Sequence, residues 1–355
     1  MAKKLLLIDG NSLFHRAYHA LPPLTDKNGE MANAVFGFSN MLLKAISEVK
    51  PDYIACAFDT KAPTFRHIEF EKYKAQRVAP PPDLYPQLPK VKKVLDAFGI
   101  AYFEKEGYEA DDLLATLATR ALESVILEGV KRPIGSNEKK SRDSIASLQN
   151  DKSVDQVIIL SGDRDCLQLV DGRVKVQMPG WNLQGTTLYG SEEVREKYGL
   201  EPHQMVDYKS LVGDPSDNVP GVSGIGPKTA SQLLQKYHTL ENLFKNLNKI
   251  PEALRQKLEV GHKTALAAKK LVELDRNIDL RFTINDLRFE PDWEKVRREY
   301  ERLGFKSIVA KILGSANTSE VGLPRAESRG FDSSEVGQAA KRKPKSNNSD
   351  QLELI

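Results

Sequence analysis

Three short apolar runs, residues 5–8, 53–58 and 157–160, are bounded by polar or turn residues and predict buried parallel strands. Between them apolar positions recur at helical spacing. Val35, Phe38, Leu42, Ala45, Ile46 and Val49 form one stripe, and Leu113, Leu114, Leu117, Ala118 and Leu122 form another. Strands alternating with helices argue for an α/β fold, a central mostly parallel sheet flanked by helices. After about residue 190 the strand signals fade, and a smaller helical region is expected to pack on the sheet. The expected division is residues 1–190, 191–313 and a tail at 314–355. Residues 129–155 are polar and rich in Lys, Ser and Asn, which predicts a surface insertion. The tail loses apolar periodicity and is expected to be disordered.

Composition narrows the class. Hydrophobic residues make up 40% and charged residues 28% of the 355, enough for a sizeable core. The net charge of +3 is too small to point to nucleic acid, although it can hide an acidic pocket beside basic surfaces. Two cysteines, Cys56 and Cys166, rule out a disulfide framework and a Cys-rich zinc site, and fit a reducing compartment. No apolar run approaches a membrane span, and Met1-Ala2-Lys3-Lys4 is too short for a signal peptide. A cytoplasmic protein is expected.

The chemistry lies in the carboxylates. Each predicted strand runs into an aspartate: Asp9, Asp59, and Asp163 with Asp165 two residues on. In open parallel sheets ligands bind beyond the carboxyl ends of the strands, so these would meet in one crevice. Taken singly, each would serve as a turn residue or helix cap. Glu109, Asp111 and Asp112 open the second helical stripe, where three carboxylates in four residues repel one another and a cap needs only one. Asp214 and Asp217 add a turn with two carboxylates three apart. Such a cluster needs cations. Oxygen ligands without a His or Cys cluster favour Mg²⁺ or Mn²⁺ over zinc. Two such ions about 4 Å apart suit phosphodiester hydrolysis.

The order of motifs resembles the flap endonuclease family, in particular the 5′ nuclease domain of bacterial DNA polymerase I. The resemblance rests on Ile8-Asp9-Gly10-Asn11-Ser12, Phe58-Asp59, Phe65-Arg66, Tyr73-Lys74-Ala75-Gln76-Arg77 and Gly107-Tyr108-Glu109-Ala110-Asp111-Asp112. It continues through Ser161-Gly162-Asp163-Arg164-Asp165 and Gly213-Asp214-Pro215-Ser216-Asp217-Asn218-Val219-Pro220-Gly221-Val222, covering about residues 4–313. It implies a PIN-like 5′ nuclease fold. The implied ligands of two metal ions are Asp9, Asp59, Glu109, Asp111, Asp112, Asp163, Asp165, Asp214 and Asp217. The first five lie nearer one ion in the family and the last four nearer the other.

Residues 60–82 are rich in basic and aromatic residues. If 73–77 is helical, Tyr73, Lys74 and Arg77 share a face, able to grip the scissile phosphate and stack on a base. The resemblance makes this segment a helical arch, with Lys74 and Arg77 catalytic, Arg66 and Tyr73 on DNA, and Arg16 a phosphate contact. At about residues 218–236 it implies a helix-hairpin-helix. There Gly224, Gly226, Lys228 and Thr229 would hold the duplex backbone at a helix N-terminus, with K⁺ as a second cation. Gripping phosphates predicts salt-dependent binding with little base preference.

The implied activity is a 5′-3′ exonuclease and flap endonuclease acting on branched, flapped, nicked or gapped DNA and on RNA primers. A bacterial, nucleoid-associated monomer is expected. In polymerase I the nuclease continues into further domains, so either a stand-alone nuclease or an excised piece is expected here, the end of the chain favouring the first. Gln351, Leu352, Leu354 and Ile355 resemble a sliding-clamp-binding peptide on a flexible tether. Residues 341–345 form a basic tract, read as solvated. A non-catalytic binder of branched DNA would be expected to have lost several carboxylates, and none is lost. An aspartyl-phosphate phosphatase would want Asp-x-Asp after the first strand, where this chain has Asp9-Gly10-Asn11.

Overall fold

The computed structural model describes residues 2–127, 154–180 and 185–316. At its centre are six strands: β1 (Lys4–Asp9), β2 (Tyr53–Ala57), β3 (Ala101–Phe103), β4 (Gln156–Leu160), β5 (Val174–Pro179) and β6 (Thr186–Tyr189). Their order is β3-β2-β1-β4-β5-β6, parallel throughout except for β6, which runs antiparallel to β5. The three expected strands are central. The other three were not anticipated, because β3 is only three residues long and β6 is a mostly exposed edge.

This order makes β1 the switch point, with the chain winding outward through β2 and β3 on one side and through β4 to β6 on the other. The register pairs Ile8 with both Cys56 and Leu160, so the carboxyl ends of β1, β2 and β4 are level. Asp9, Asp59 and Asp163 therefore share one edge, where α/β sheets bind ligands.

Successive side chains of a strand face opposite sides, and each side has its own core. Leu6, Ile8, Ile54, Cys56, Ile158 and Leu160 face α1 (Gly10–Ala20), α2 (Asn33–Val49) and α4 (Leu88–Phe98). Leu5, Leu7, Ala55, Ala57, Val157 and Ile159 face α5 (Ala110–Leu127). Both predicted helical stripes are in place. A third core sits in the helical region, around Leu211, Val222, Leu234, Leu240 and Leu258.

The helical region is not closed at the expected boundaries. Past the helix Glu252–Val272 the chain returns to the sheet. Leu274, Ile278, Leu280 and Leu287 join the core under α5, while Val296, Tyr300 and Ile308 join the opposite one. The last described helix, Lys306–Ala316, runs past the expected start of the tail at residue 314. The insertion, except Val154 and Asp155, and the clamp-like peptide lie outside the described residues.

Candidate active site

Asp9 ends β1 and caps α1, its Oδ1 accepting from the Ser12 amide (2.9 Å) and its Oδ2 from the Ser161 hydroxyl (2.6 Å). Burial pushes its carboxyl up to about 7, against the pull of the Ser161 and Ser12 bonds. Asp59 follows β2 and accepts from the Ala110 amide and the Asn11 side chain, both at 2.7 Å. Burial raises it too. Asp111, on the first turn of α5, is held well above the usual carboxylate range by burial and then by Asp112 and Glu109. Asp163 caps the 3-10 turn Arg164–Leu169 and is raised by burial, with the Lys209 ammonium opposing.

The remaining carboxylates carry cations. A two-strand hairpin, Gly213–Asp214 against Val219–Pro220, presents Asp214 and Asp217. It requires glycine on both sides, since a Cβ on Gly213 would meet the Gly221 nitrogen at 2.6 Å and one on Gly221 would meet the Val212 carbonyl carbon at 2.3 Å. Lys209, on the helix Met205–Val212, pairs with Asp165 and donates to Asp214 at 2.7 Å. Burial would raise Asp214, but that ammonium and the Ser216 bonds hold it below its usual value. Ligand oxygens of Asp165, Asp214 and Asp217 lie within 4.8 Å of one another.

Residues 60–82 differ from the expectation. Only α3 (Phe65–Glu69) is helical; residues 71–76 form turns, and Lys74 has left-handed backbone (φ 55°). The helical-face argument for Tyr73, Lys74 and Arg77 therefore fails, yet the three still converge. Lys74 donates to Glu109 (2.7 Å) and Arg77 to Asp217 (2.6 Å). The Tyr73 hydroxyl donates to Glu109 and Asp217 (2.9 and 3.0 Å). The Lys74 amide donates to the Asp217 carbonyl, and Asn218 donates to the Lys72 carbonyl. Ion pairing with the acidic crevice has drawn the segment down onto it.

Two expected DNA contacts are thereby corrected. Tyr73 is 3% exposed with its ring in a small apolar cluster, leaving no free face for a base. Arg66 is 1% exposed and faces inward. Its fork holds both oxygens of Asp112 (2.6 and 2.7 Å), and it also donates to the Leu271 and Glu273 carbonyls. Asp112 accepts two further bonds, from the Glu109 and Asp275 amides, and is wholly buried. Of the nine carboxylates it alone is saturated by this protein's own donors, which leaves it no lone pair for a metal.

Arg16 donates to the Gly180 carbonyl (3.1 Å) and its guanidinium lies beside Gly162, the residue before Asp163. Farther out, the helix Pro227–Tyr237 follows a turn in which Gly224 has φ 75°, with Gly224, Gly226 and Lys228 exposed and Thr229 half-buried. Sequence reasoning missed Lys209. A lysine on a short helix reads as solvent-facing, and only its spacing of five from Asp214 pointed here.

A resolvase-like α/β fold with a carboxylate crevice at its switch point defines the class. Residues 4–131 match the family profile described as 5′-3′ exonuclease, N-terminal resolvase-like domain. Residues 200–295 match its companion, 5′-3′ exonuclease, C-terminal SAM fold. The chain belongs to the 5′-3′ exonuclease family, a family of nucleases. It is 40% identical over 314 residues to DNA polymerase I of Caldicellulosiruptor bescii, covering 87% of this chain and 33% of that protein. It is 35% identical over 312 residues to DNA polymerase I of Bacillus subtilis, with 87% and 32% covered. The chain thus spans about a third of the length of the curated relatives it matches.

Among solved structures, the bacteriophage T5 5′-exonuclease with divalent zinc bound superposes with a TM-score of 0.55 at 17% identity, covering 88% of this chain and 99% of that one. The catalytic core of Rad2 in complex with DNA substrate gives 0.51 at 18%, with 88% and 92% covered. At these identities the likeness is one of fold. Among the described residues no helix is long and apolar enough to cross a membrane.

Proposed function

We propose that this chain is a structure-selective 5′-3′ exonuclease and 5′-flap endonuclease, hydrolysing phosphodiester bonds of DNA and RNA primers in replication and repair. One observation carries the reading. Eight carboxylates, Asp9, Asp59, Glu109, Asp111, Asp163, Asp165, Asp214 and Asp217, gather at the switch-point edge, where Lys74, Arg77 and Lys209 pair with them and Arg66, held by Asp112, passes 3.6 Å from Glu109. Buried like charges in that excess call for divalent ions, and the all-oxygen donor set fits Mg²⁺ or Mn²⁺. Asp9, Asp59, Glu109 and Asp111 would hold one ion, and Asp165, Asp214 and Asp217 the other, with Asp163 between. Bound there, the pair would supply an activated water and offset the charge on the leaving oxygen.

The chain's own residues do the rest. Lys74 and Arg77, released from Glu109 and Asp217, would hold the scissile phosphate as point charge and fork. Gly224, Gly226, Lys228 and Thr229 would grip the duplex backbone, with K⁺ at the hairpin. The T5 and Rad2 structures, with divalent metal and with DNA, support the choice of ligands. The same reading gives the sheet and the helical region separate tasks, cleavage and duplex grip, and makes residues 351–355 a tether to the sliding clamp.

The test is a labelled 5′-flap substrate assayed with Mg²⁺, with EDTA and with Asp163→Ala. Cleavage near the junction should need the metal and be abolished in the variant, with DNA binding retained. Added clamp should stimulate the full chain and not one ending at Asp350. Equal cleavage by Asp163→Ala would overturn the metal assignment.

A further inference from the structure

We infer that Arg66 and Asp112 form a positioning pair that sets the carboxylates of the catalytic crevice, and that neither touches DNA or metal. The inference rests on the proposed nuclease activity and goes beyond it, since the family resemblance assigns Arg66 to DNA and Asp112 to a metal.

The geometry is that of a junction. Arg66 lies on α3, at the base of the segment that carries Tyr73, Lys74 and Arg77. Thr64 and His67 bond to each other at the start of α3, and the Phe65 amide donates to the Gly107 carbonyl, which fixes α3 beside the loop leading to Glu109. From there the guanidinium takes Asp112 in its fork and reaches the Leu271 and Glu273 carbonyls at the end of the helix Glu252–Val272. Asp112 reciprocates by accepting from the Glu109 and Asp275 amides. Three segments distant in sequence, the arch base, the first turn of α5 and the exit of the helical region, are thus tied at one buried point.

What is tied there matters to the crevice. Glu109 and Asp111 precede Asp112 at the start of α5, so the pair fixes the turn from which both project. The Arg66 guanidinium also passes 3.6 Å from Glu109 without taking its oxygens, which go to Lys74 and Tyr73. Gln168 reinforces the joint by donating to the Val272 carbonyl and accepting from the Leu274 amide, and Arg276 donates back to the Gln168 carbonyl. Burial would weaken the charge on Arg66, but the bonds and charge of Asp112 hold it firmly protonated. Arg66 makes four bonds, to both Asp112 oxygens and to two carbonyls, whereas an ammonium has three donors on one nitrogen, so lysine should not substitute.

The test uses the full chain with Arg66→Gln and Arg66→Lys. Flap binding is measured in EDTA against salt, cleavage in Mn²⁺, and Mn²⁺ binding by calorimetry. Both variants should keep the wild-type salt slope and KM, while kcat and Mn²⁺ affinity fall by about 10–100-fold, as for loss of a group that orients metal ligands. A salt slope reduced by about 0.9 with kcat unchanged would make Arg66 a phosphate contact. Full kcat in Arg66→Lys would also overturn the inference.

Should the Arg66 variants fail to fold, Asp112→Asn is compared with Asp111→Asn. The first should weaken Mn²⁺ binding much less than the second, and equal losses would make Asp112 a ligand. If wild type neither binds Mn²⁺ nor cleaves the flap, the functional reading itself falls; failures confined to the variants leave it standing.

Discussion

The two halves of the acidic crevice are kept from self-repulsion by different means. Beside β1 and β2, Asp9, Asp59 and Asp111 have no direct ion-pair partner among the described residues; burial raises their pKa values and so favours their protonated forms. Across the crevice, Asp165, Asp214 and Asp217 meet Lys209 and Arg77, and Asp214 is held below its usual value despite burial. The difference follows from location. The first set projects from the sheet edge and the start of α5, whose neighbours are apolar strands and backbone amides. The second set faces helices and a folded-down segment that can supply ammonium and guanidinium groups. A divalent ion would therefore displace protons and, at Glu109, the Lys74 ammonium on the first side, and side-chain cations on the other.

The largest effect is expected from removing the cation that serves two carboxylates. Lys209→Met should destabilise the protein in EDTA by roughly 3 kcal/mol, because it leaves buried charges unpaired. Mn²⁺ should restore the melting temperature of the variant by more than it raises that of wild type. An unchanged melting temperature in EDTA would show that the second half does not depend on Lys209.

A pH series separates the halves more finely. Asp9 has a folded pKa of about 7, above its unfolded value of 3.8, so its contribution is complete below about 4 and is lost as pH rises through 7. Asp59 and Asp111, raised in the same direction, add to that loss. Asp214, lowered, contributes above its unfolded value and loses that contribution as pH falls through its folded one. In EDTA, then, wild type should lose stability between pH 5 and 8 relative to Asp9→Asn, by an amount of order a few kcal/mol. Saturating Mg²⁺ should abolish the difference in slope. Parallel slopes in EDTA would mean that Asp9 is ionised throughout.

The comparison also shows what the sequence could reveal. Asp9, Asp59 and Asp163 were legible because each follows an apolar run, and a parallel sheet with level strand ends leaves such residues only one edge to share. The α2 and α5 stripes were legible from their period. The partners were not. Arg66 and Leu271 are 205 positions apart, and an arginine in a basic, aromatic stretch looks the same whether it faces DNA or the core. The charge of Lys209 is invisible as a counter-ion until the hairpin folds back beside it. The turn at Lys74 was missed because Tyr73, Lys74 and Arg77 have helical spacing, while the force that shapes the segment comes from Glu109 and Asp217, far along the chain.

The smallest effect expected is at the seam between the halves. Ser161 is fully buried; its hydroxyl donates to Asp9 and accepts from the Asp163 amide (2.9 Å), so one oxygen sets the spacing of the two strand-end carboxylates. Ser161→Ala would leave that amide unsatisfied, at about 1–3 kcal/mol of stability. It would also remove the bond that holds the Asp9 pKa down, so Asp9 should rise further. Cleavage should fall by about tenfold, as for loss of a group orienting a ligand. The discriminating readout is the acid limb of the pH–rate profile, which should move to higher pH, because a more basic Asp9 gives up its proton later. An unmoved limb with the same loss of rate would mean that Ser161 sets geometry alone, and that the proton balance of the first half is fixed by burial without it.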